Sequence, residues 1–361
     1  MTAVASRHML VALAATALSA LAVALPLRAA EGDAYTVHVL VSDGSTPSSA
    51  PSDPNLVNGW GLTAGATTPW WVSDNARDVA TLYNAAGGKV PVTVAVDSAP
   101  TGVVNNSTGA GFPVAGASGP VPAVFIFATE SGTIQGWNPS PPPPSHPAQV
   151  VVDNSPAGAV YKGLAFAVTQ SGARLYATDF HNGHVDVFDS SWSAVAVPGD
   201  FADPALPSGY APFGIQAIGD RIFVTFAQQQ AGSDDEAHGQ GLGFVDAFDT
   251  DGNLLARVAQ HGQLNAPWGL ALAPESFGRF GGDLLVGNFG DGEINAYAEL
   301  PNGHFEHRGT LRSGGGILRL DGLWALEFGH GAPNNGPTDT LFFTAGPADE
   351  TQGLFGSITA G

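Results

Sequence analysis

Six segments of this sequence share one pattern, a short aromatic or aliphatic run that ends in polar residues and is followed at once by a second apolar run. Such runs, separated by Gly, Pro, Asn and Asp, are typical of β-strands joined by turns. A pattern that recurs at a regular interval indicates a repeat protein. The six runs lie at 70–75, 125–130, 175–180, 222–227, 284–289 and 341–346.

Each run is preceded by a short segment that, in most units, contains glycine, and we interpret this segment as the first strand of the unit. The segments lie at 60–62, 162–164, 213–215, 268–270 and 323–326. Gly163 follows Gly61 by 102 residues, whereas Gly214 follows Gly163 by 51 and Gly269 follows Gly214 by 55. The first gap therefore holds two units, and the missing first strand is predicted near residues 111–114.

A third strand follows each run, and a fourth follows in five of the six units. The sixth unit ends without a fourth strand, while the alternating segment 35–41 near the N-terminus has no partner. A ring closes if this N-terminal strand completes the last unit, which also removes an open sheet edge. The sequence therefore predicts an all-β fold, a six-bladed β-propeller of four-stranded blades, as a single domain over residues 31–361.

Residues 1–30 are predicted to be a secretory signal peptide. Arg7 and His8 precede an apolar run from Met9 to Leu25 that contains no acid, and alanines near residues 24–30 suit cleavage. A retained membrane span is the alternative, although the run is shorter than usual. The mature protein is expected to be secreted or periplasmic, with no membrane span. The sequence has no Cys, which excludes disulfides, thiol nucleophiles and thiolate metal ligands.

The excess of acidic over basic residues limits which classes of partner the protein can bind. There are 32 Asp and Glu against 12 Lys and Arg, a net charge of −20. Nucleic acid and anionic membranes would be repelled, so neither is expected as a partner. The charge is compatible with divalent cations or cationic substrates, and also with a solvated acidic surface.

Propeller topology brings the start of each first strand and the end of each second strand to one face, around the central channel. Polar and aromatic residues collect there, as in small-molecule sites. The expected ligand-binding residues are Asn58, Trp60, Asn75, Trp268 and Glu350. The expected ligands of Ca²⁺ or another divalent cation are Asp74, Glu130, Asp179, Asn265, Asn288 and Asp321.

Two residues on the same face are candidates for catalysis. His181 could act as a general base beside a bound ion, and Lys162 could stabilise developing negative charge. The alternative is that the Asp and Asn residues cap turns and the channel holds water. No nucleotide, haem or flavin is expected. The glycine-rich segment 287–292 lies inside a β-repeat rather than before a helix, and no Walker loop occurs, so a phosphate-binding loop is not predicted.

Two insertions interrupt the repeat. Residues 139–147 are proline-rich and predict a stiff exposed loop or a ligand for a proline-binding module. Residues 228–241 are polar and acidic, with Asp234, Asp235, Glu236 and His238, and predict a solvated loop, a lid or a metal-binding arm.

Several motifs carry a family resemblance, which covers about residues 35–358. They lie at 53–62, 71–75, 160–165, 264–270, 284–292, 321–326 and 353–356. These segments resemble an uncharacterised family of exported bacterial β-propellers with NHL-like repeats, some of which carry a C-terminal sorting tail. The resemblance implies a propeller and export but no activity. The chain ends at Gly361 without such a tail, so anchoring by that route is not expected.

A weaker similarity is to six-bladed gluconolactonase and NHL propellers. The gluconolactonases use a divalent ion held by carboxylates and Asn to hydrolyse lactones or esters, which is an analogy at the level of the fold.

Two functions remain open on the sequence. The first is a non-catalytic exported module that binds a small molecule, an extracellular carbohydrate or a protein, with some of the seven Trp residues as stacking platforms. For Trp71 and Trp324, core packing is the preferred interpretation. The second is a metal-dependent lactonase- or esterase-like hydrolase. The ligand-binding module is the preferred interpretation and the hydrolase is the alternative. The sequence does not name the substrate, the ion or the oligomeric state.

Overall fold

The computed structural model describes residues 34–45, 50–140 and 147–361, and almost all of them lie in short antiparallel strands or the turns between them. The strands form six sheets of three or four strands around a central channel and two separate hairpins, so the predicted six-bladed β-propeller is confirmed. The predicted signal peptide at residues 1–30 lies outside the described residues, as does most of the proline-rich insertion. No helix within the described ranges is long and apolar enough to cross a membrane.

The blades are numbered in chain order, and their strands run from the channel outwards. Blade 1 contains Gly59–Thr63, Trp70–Asp74, Val79–Tyr83 and Lys89–Ala95; blade 2 contains Pro100–Asn105, Phe125–Thr129, Thr133–Trp137 and Gln149–Asp153; blade 3 contains Tyr161–Thr169, Gly172–Asp179 and His184–Asp189.

Blades 4 to 6 follow the same order. Blade 4 contains Tyr210–Ile218, Arg221–Gln228, Phe244–Phe248 and Leu254–Gln260; blade 5 contains Pro267–Leu272, Leu284–Asn288, Ile294–Glu299 and Phe305–Thr310; blade 6 contains Leu323–Phe328, Thr340–Ala345, Leu354–Ala360 and the N-terminal Tyr35–Ser42. Two hairpins (Pro113–Gly116 with Gly119–Pro122, and Arg312–Ser313 with Gly316–Ile317) and three 3₁₀ turns (Asn75–Arg77, Ser155–Ala157 and Gly278–Phe280) complete the described elements.

The glycines of the first strands let neighbouring blades touch through their backbones. A Cβ on Gly214 of blade 4 would lie 2.1 Å from the carbonyl oxygen of Trp268 in blade 5, and one on Gly61 would lie 2.3 Å from that of Thr101 in blade 2. Gly102, Gly163 and Gly269 make the equivalent approach to the next blade. Only glycine fits such a contact, which explains why this residue marks the first strands in the sequence.

The first strand of blade 2 corrects the sequence prediction, which placed it near residues 111–114. The strand is Pro100–Asn105, with Gly102 as its contact glycine. Phe112 is buried but adopts a positive φ of 49°, and the residues after it form the separate hairpin that begins at Pro113. An apolar residue in a turn was therefore mistaken for a strand.

Blade 3 is the least regular. The repeat predicts a fourth strand here, in the apolar segment at residues 194–197. This segment forms only a bridge between Phe188 and Ala194 and a hydrogen bond from the Val195 N–H to the Val187 carbonyl. Pro198 follows at once and has no N–H to extend a ladder.

The N-terminal strand closes the ring as the outer strand of blade 6, as predicted. It pairs antiparallel with the last strand, from Tyr35 opposite Ala360 to Ser42 opposite Leu354. Tyr35 is 1% exposed and packs on the rings of Phe277 and Phe280 of blade 5. Its hydroxyl donates to the Phe277 carbonyl at 3.2 Å, so this residue joins both chain ends to the neighbouring blade.

Replacement of Tyr35 by Ala is expected to destabilise the protein by about 3–5 kcal/mol, because a fully buried aromatic ring is removed from a closed interface. Tyr35→Phe, the matched control, keeps the ring and should lose only the hydrogen bonds, about 1–2 kcal/mol. Urea unfolding followed by tryptophan fluorescence measures both. Equal, small losses for the two variants would show that the strand contributes little to closure.

Candidate functional site

A cavity of about 440 Å³ opens on the face where the first strands begin and the second strands end. We call it the mouth cavity. Residues from blades 1, 2, 3, 5 and 6 and from the insertion at residues 228–241 line it: Trp60, Asn75, Glu130, Lys162, Gln230, Asp235, Glu236, His238, Phe289, Asp349 and Glu350. The convergence follows from the topology, because equivalent strand ends of every blade meet around the channel.

Stacked aromatic rings fill the channel below the mouth cavity. Trp60 of blade 1 stacks on Trp324 of blade 6 at 3.6 Å between centroids, and Trp324 stacks on Phe289 of blade 5 at 3.9 Å. Trp268 meets the edges of Trp60 and Trp324. These rings belong to one buried cluster, so the cavity has an aromatic floor.

A chain of hydrogen bonds crosses from blade 6 to blade 3 along this floor. The Trp324 indole donates to Asn58 at 2.8 Å, and the Asn58 amide donates to Asn75 at 3.1 Å. The Asn75 amide donates to Glu130 at 3.0 Å, and the Lys162 ammonium donates to the other Glu130 oxygen at 2.5 Å. These polar side chains are therefore positioned by one another rather than free to rotate.

Lys162 is 1% exposed and lies 5.2 Å from the centroid of the Trp60 ring. Burial lowers the pKa of its ammonium group, but Glu130, Glu236 and Asp235 more than offset this, so that the pKa lies above its ordinary value. Lys162 is therefore a charged ammonium group at neutral pH, held between a carboxylate and an aromatic face.

The insertion at residues 228–241, which we call the arm, contributes four residues to the mouth cavity. It is fixed by Gln229, whose amide donates to the Phe180 carbonyl at 2.7 Å, and by the Gly239 N–H, which donates to Asn265 at 2.7 Å. His238 lies 3.2 Å from a Glu236 oxygen, and this contact raises the pKa of the imidazole. The sequence predicted a lid, a metal arm or a solvated loop without identifying the arm as part of the cavity wall.

Glu350 and Asp349 enter the cavity from an unusual backbone turn. Ala348, Asp349 and Glu350 all have positive φ, between 51° and 62°. One Glu350 oxygen accepts a hydrogen bond from the Asn58 amide at 2.9 Å. Burial, together with the neighbouring Glu236 and Glu130, raises the pKa of Glu350 to about 7, although Asn58 and Lys162 act in the opposite direction.

Of the six predicted metal ligands, Glu130 lines the mouth cavity and the other five lie outside its wall. Asp74 is completely buried in blade 1, and desolvation raises its pKa well above the ordinary value. Asn265 and Asn288 both donate to Asp291, and Asp321 accepts from the Ala348 N–H. Asp74 therefore belongs to the core, and the other three stabilise loops.

Asp179, the remaining predicted ligand, lies beside two residues that the sequence analysis did not single out. One ligand atom from each of Asp179, His184 and Asp186 falls within 4.8 Å of the others. Asp179 also accepts hydrogen bonds from Val160 and Asn182, so its oxygens are partly used. His184 pairs directly with Asp179, and Asp186 follows two residues later on the same strand. This alternation is the signal that could have found the group.

His181, the predicted general base, lies in a shallow groove beside the arm. Its Nδ1 is 2.6 Å from a carboxylate oxygen of Asp234, and both side chains are about half exposed. His238 rather than His181 lines the mouth cavity.

Six of the seven Trp residues are buried, including Trp71 and Trp324 as predicted. Trp192 is half-buried, with its indole donating to the Pro113 carbonyl, away from the mouth. The seven Trp residues therefore provide no exposed stacking platform at the rim.

The comparisons with known proteins point to one family. The chain is 32% identical over 337 residues to the uncharacterized protein R648 of Acanthamoeba polyphaga mimivirus, with 90% of this chain and 80% of R648 covered. The chain belongs to the family of R648. A comparison with protein-family models finds no match. This relative is viral and uncharacterized. The bacterial origin, the export and the NHL-like repeats that the motifs of this chain led us to expect therefore stay predictions.

Among solved structures, a protein of unknown function from Bacteroides thetaiotaomicron matches with a TM-score of 0.55 and 10% identity, over 90% of this chain and 76% of the other. A putative gluconolactonase matches with a TM-score of 0.42 and 14% identity, over 90% of this chain and 98% of the gluconolactonase. The first match shows the fold alone, and the second supports no conclusion about activity.

Replacement of Glu350 by Gln is expected to stabilise the protein at pH 8. The folded-state pKa of about 7 lies above the ordinary 4.5, so the folded state binds more protons between these values and stability falls as the pH rises through them. Gln keeps an oxygen for the Asn58 amide but carries no charge. The gain at pH 8 should be about 1–3 kcal/mol, since one pKa unit corresponds to about 1.4 kcal/mol.

Urea unfolding at pH 5 and pH 8 measures this effect, with Glu306→Gln on an exposed strand as the control. The two forms should differ in stability at pH 8 and converge at pH 5. An unchanged difference at the two pH values would show that Glu350 is not the titrating group.

Proposed function

We propose that this protein is a ligand-binding propeller whose mouth cavity holds a small organic molecule. The observation that carries the proposal is the cavity itself, which gathers polar side chains from four blades and the arm over an aromatic floor. Its volume of about 440 Å³ falls in the range of small-molecule sites, and a few fixed polar groups on apolar walls are their usual lining.

Binding is favoured over covalent catalysis by the residue types in the cavity wall. None of the described lining residues carries a hydroxyl or thiol. Lys162 is held as an ammonium ion by Glu130 and therefore has no free electron pair for attack. His238 is paired with Glu236, which favours its protonated form.

A small molecule is favoured over an extended polymer as the ligand. Of the Trp side chains that could stack on sugar rings, six are buried in the channel or between blades and Trp192 is half-buried outside the cavity wall. Four residues of the arm form part of that wall. Carbohydrate or protein partners would have to bind elsewhere on the surface.

The double substitution Asp235→Ala and His238→Ala is expected to weaken ligand binding at least tenfold, because it removes two arm residues from the cavity wall. The matched control is Asp234→Ala with His181→Ala. These two residues contact each other beside the arm, and neither lines the cavity. A small-molecule library screened by thermal shift, with titration calorimetry of the hits, gives the measurement. Hits that bind both variants like the native protein would exclude the mouth cavity as the site.

The second candidate function is a metal-dependent hydrolase, favoured by the group of Asp179, His184 and Asp186. Oxygen and imidazole ligands at this spacing suit a divalent cation. An ion present at 100 times its Kd should stabilise the protein by about 2.7 kcal/mol.

Thermal unfolding with EDTA, and then with added Ca²⁺, Mg²⁺ or Zn²⁺, tests for this ion. The shift in Tm should be lost in His184→Ala and kept in the control His181→Ala. Identical Tm values under all conditions would remove the basis for metal-assisted hydrolysis.

Export of the protein, with removal of residues 1–30, is part of the same proposal and is supported by the apolar run after Arg7. Mass determination of the protein isolated from its native host tests it, since the full-length mass would contradict cleavage.

A further inference from the structure

We propose that the ligand of the mouth cavity is an organic cation, a small molecule with a primary ammonium or guanidinium group, and that Glu350 and Asp349 hold that group. The inference rests on the proposed function and names the chemical class of the ligand. It is carried by the number, pairing and spacing of the charges around the cavity.

The cavity wall has more acidic than basic side chains. Five carboxylates line it, against one ammonium and one imidazole: Glu130, Asp235, Glu236, Asp349 and Glu350, with Lys162 and His238. Even with both basic groups protonated, the wall has an excess of negative charge. A cationic ligand would lower this electrostatic cost, whereas an anionic ligand would raise it.

The two basic groups are already committed to particular carboxylates. Lys162 binds Glu130 at 2.5 Å and His238 contacts Glu236 at 3.2 Å. Glu350 instead accepts from the neutral amide of Asn58, which leaves its charge uncompensated by direct contact. The raised pKa of Glu350, caused first by burial and then by the nearby Glu236 and Glu130, is consistent with a missing cation beside it.

The spacing of the carboxylates favours an organic cation over a metal ion. A bound metal needs several oxygens at 2.3–2.6 Å from one point. Within the described ranges, the one group of three acidic or histidine side chains with ligand atoms inside 4.8 Å is that of Asp179, His184 and Asp186, which are not part of the cavity wall. The mouth carboxylates are more widely spread, as suits a molecule with several atoms.

The ammonium group of Lys162 is already bound in the cavity by carboxylates and an aromatic ring, as we propose for the ammonium or guanidinium group of the ligand. Lys162 lies between the carboxylate of Glu130 and the face of Trp60, with Asp235 at 3.7 Å. Carboxylates combined with an aromatic face are a recurrent arrangement for organic cations, because the ring's negative face adds to the charge attraction. Phe289 provides a second aromatic ring in the wall, close to the arm.

An unpartnered donor points to a further property of the ligand. Trp60 lines the cavity and is 2% exposed, and its indole N–H has no hydrogen-bond partner in the described part of the chain. Buried N–H groups are normally satisfied. An oxygen on the ligand, such as a hydroxyl or carbonyl group, would satisfy it.

The test compares matched four-carbon compounds by titration calorimetry on the mature protein: putrescine as the cation, 1,4-butanediol as the neutral form and succinate as the anion, with agmatine as the guanidinium probe. Putrescine or agmatine should bind, and the other two should not. Glu350→Gln and Asp349→Asn should each weaken this binding at least fivefold. Glu306→Gln and Asp339→Asn, which remove exposed charges outside the cavity, should leave it unchanged.

The outcomes separate this inference from the proposed function. The proposal of an organic cation is overturned if neither cation binds at concentrations up to about 10 mM. It is also overturned if the cations bind the Glu350→Gln and Asp349→Asn variants as tightly as the native protein. If a neutral or anionic compound binds instead and is lost in the Asp235 and His238 double variant, the mouth cavity stands as a site and only the ligand class is wrong. If no compound depends on the arm residues, both proposals fail.

Discussion

The backbone contact between neighbouring first strands is the constraint on which the rest of the propeller depends. At five of the six junctions a glycine faces the next strand so closely that a methyl group would clash, for example with the carbonyl of Trp268 or Trp324. This contact sets the width of the channel. A narrow channel allows the rings of Trp60, Trp324 and Phe289 to stack across three blades, and that stack in turn supports the polar groups above it. The site is therefore a consequence of how closely the blades pack.

The same closeness makes the mouth cavity a connected hydrogen-bond network rather than a collection of independent side chains. The indole of Trp268 donates to the Lys162 carbonyl across the channel, and Asn58 receives the indole of Trp324 while donating to Glu350. Bonds of this kind are stronger in a dry interior, and unpaired groups there are correspondingly costly. A ligand would meet a wall whose side chains are already oriented, which limits the entropy lost on binding.

The fold could be predicted from the sequence because two independent signals agreed. One is the regular spacing of the strand pairs, and the other is that the last unit lacks a fourth strand while the N-terminal segment 35–41 has no partner. The first strand of blade 2 was misplaced because its signature, Gly102 next to Val103, is short, while Phe112 offered a stronger apolar signal in what is a turn. Topology alone placed Trp60, Asn75, Glu130, Lys162 and Glu350 on one face, and all five line the mouth cavity. It did not place His238, because an insertion has no equivalent in the other repeats from which its position could be inferred. Nor did it separate Asp74, which faces the core, from Asn75, which faces the cavity.

The pairing of the N-terminal strand with the C-terminal strand has a consequence for how the chain folds. Residues 35–42 and 354–360 are separated by almost the whole sequence, so their contact closes the largest loop in the molecule, and its entropic cost is met only when the intervening blades are in place. Contacts of such long range are formed late and slow the overall reaction. Until then the outer edge of blade 6 and the partner surface for Tyr35 are both open. An intermediate with five complete blades, in which blade 6 still lacks its N-terminal strand, would have an open sheet edge. This intermediate would be the species most prone to edge-to-edge association during synthesis.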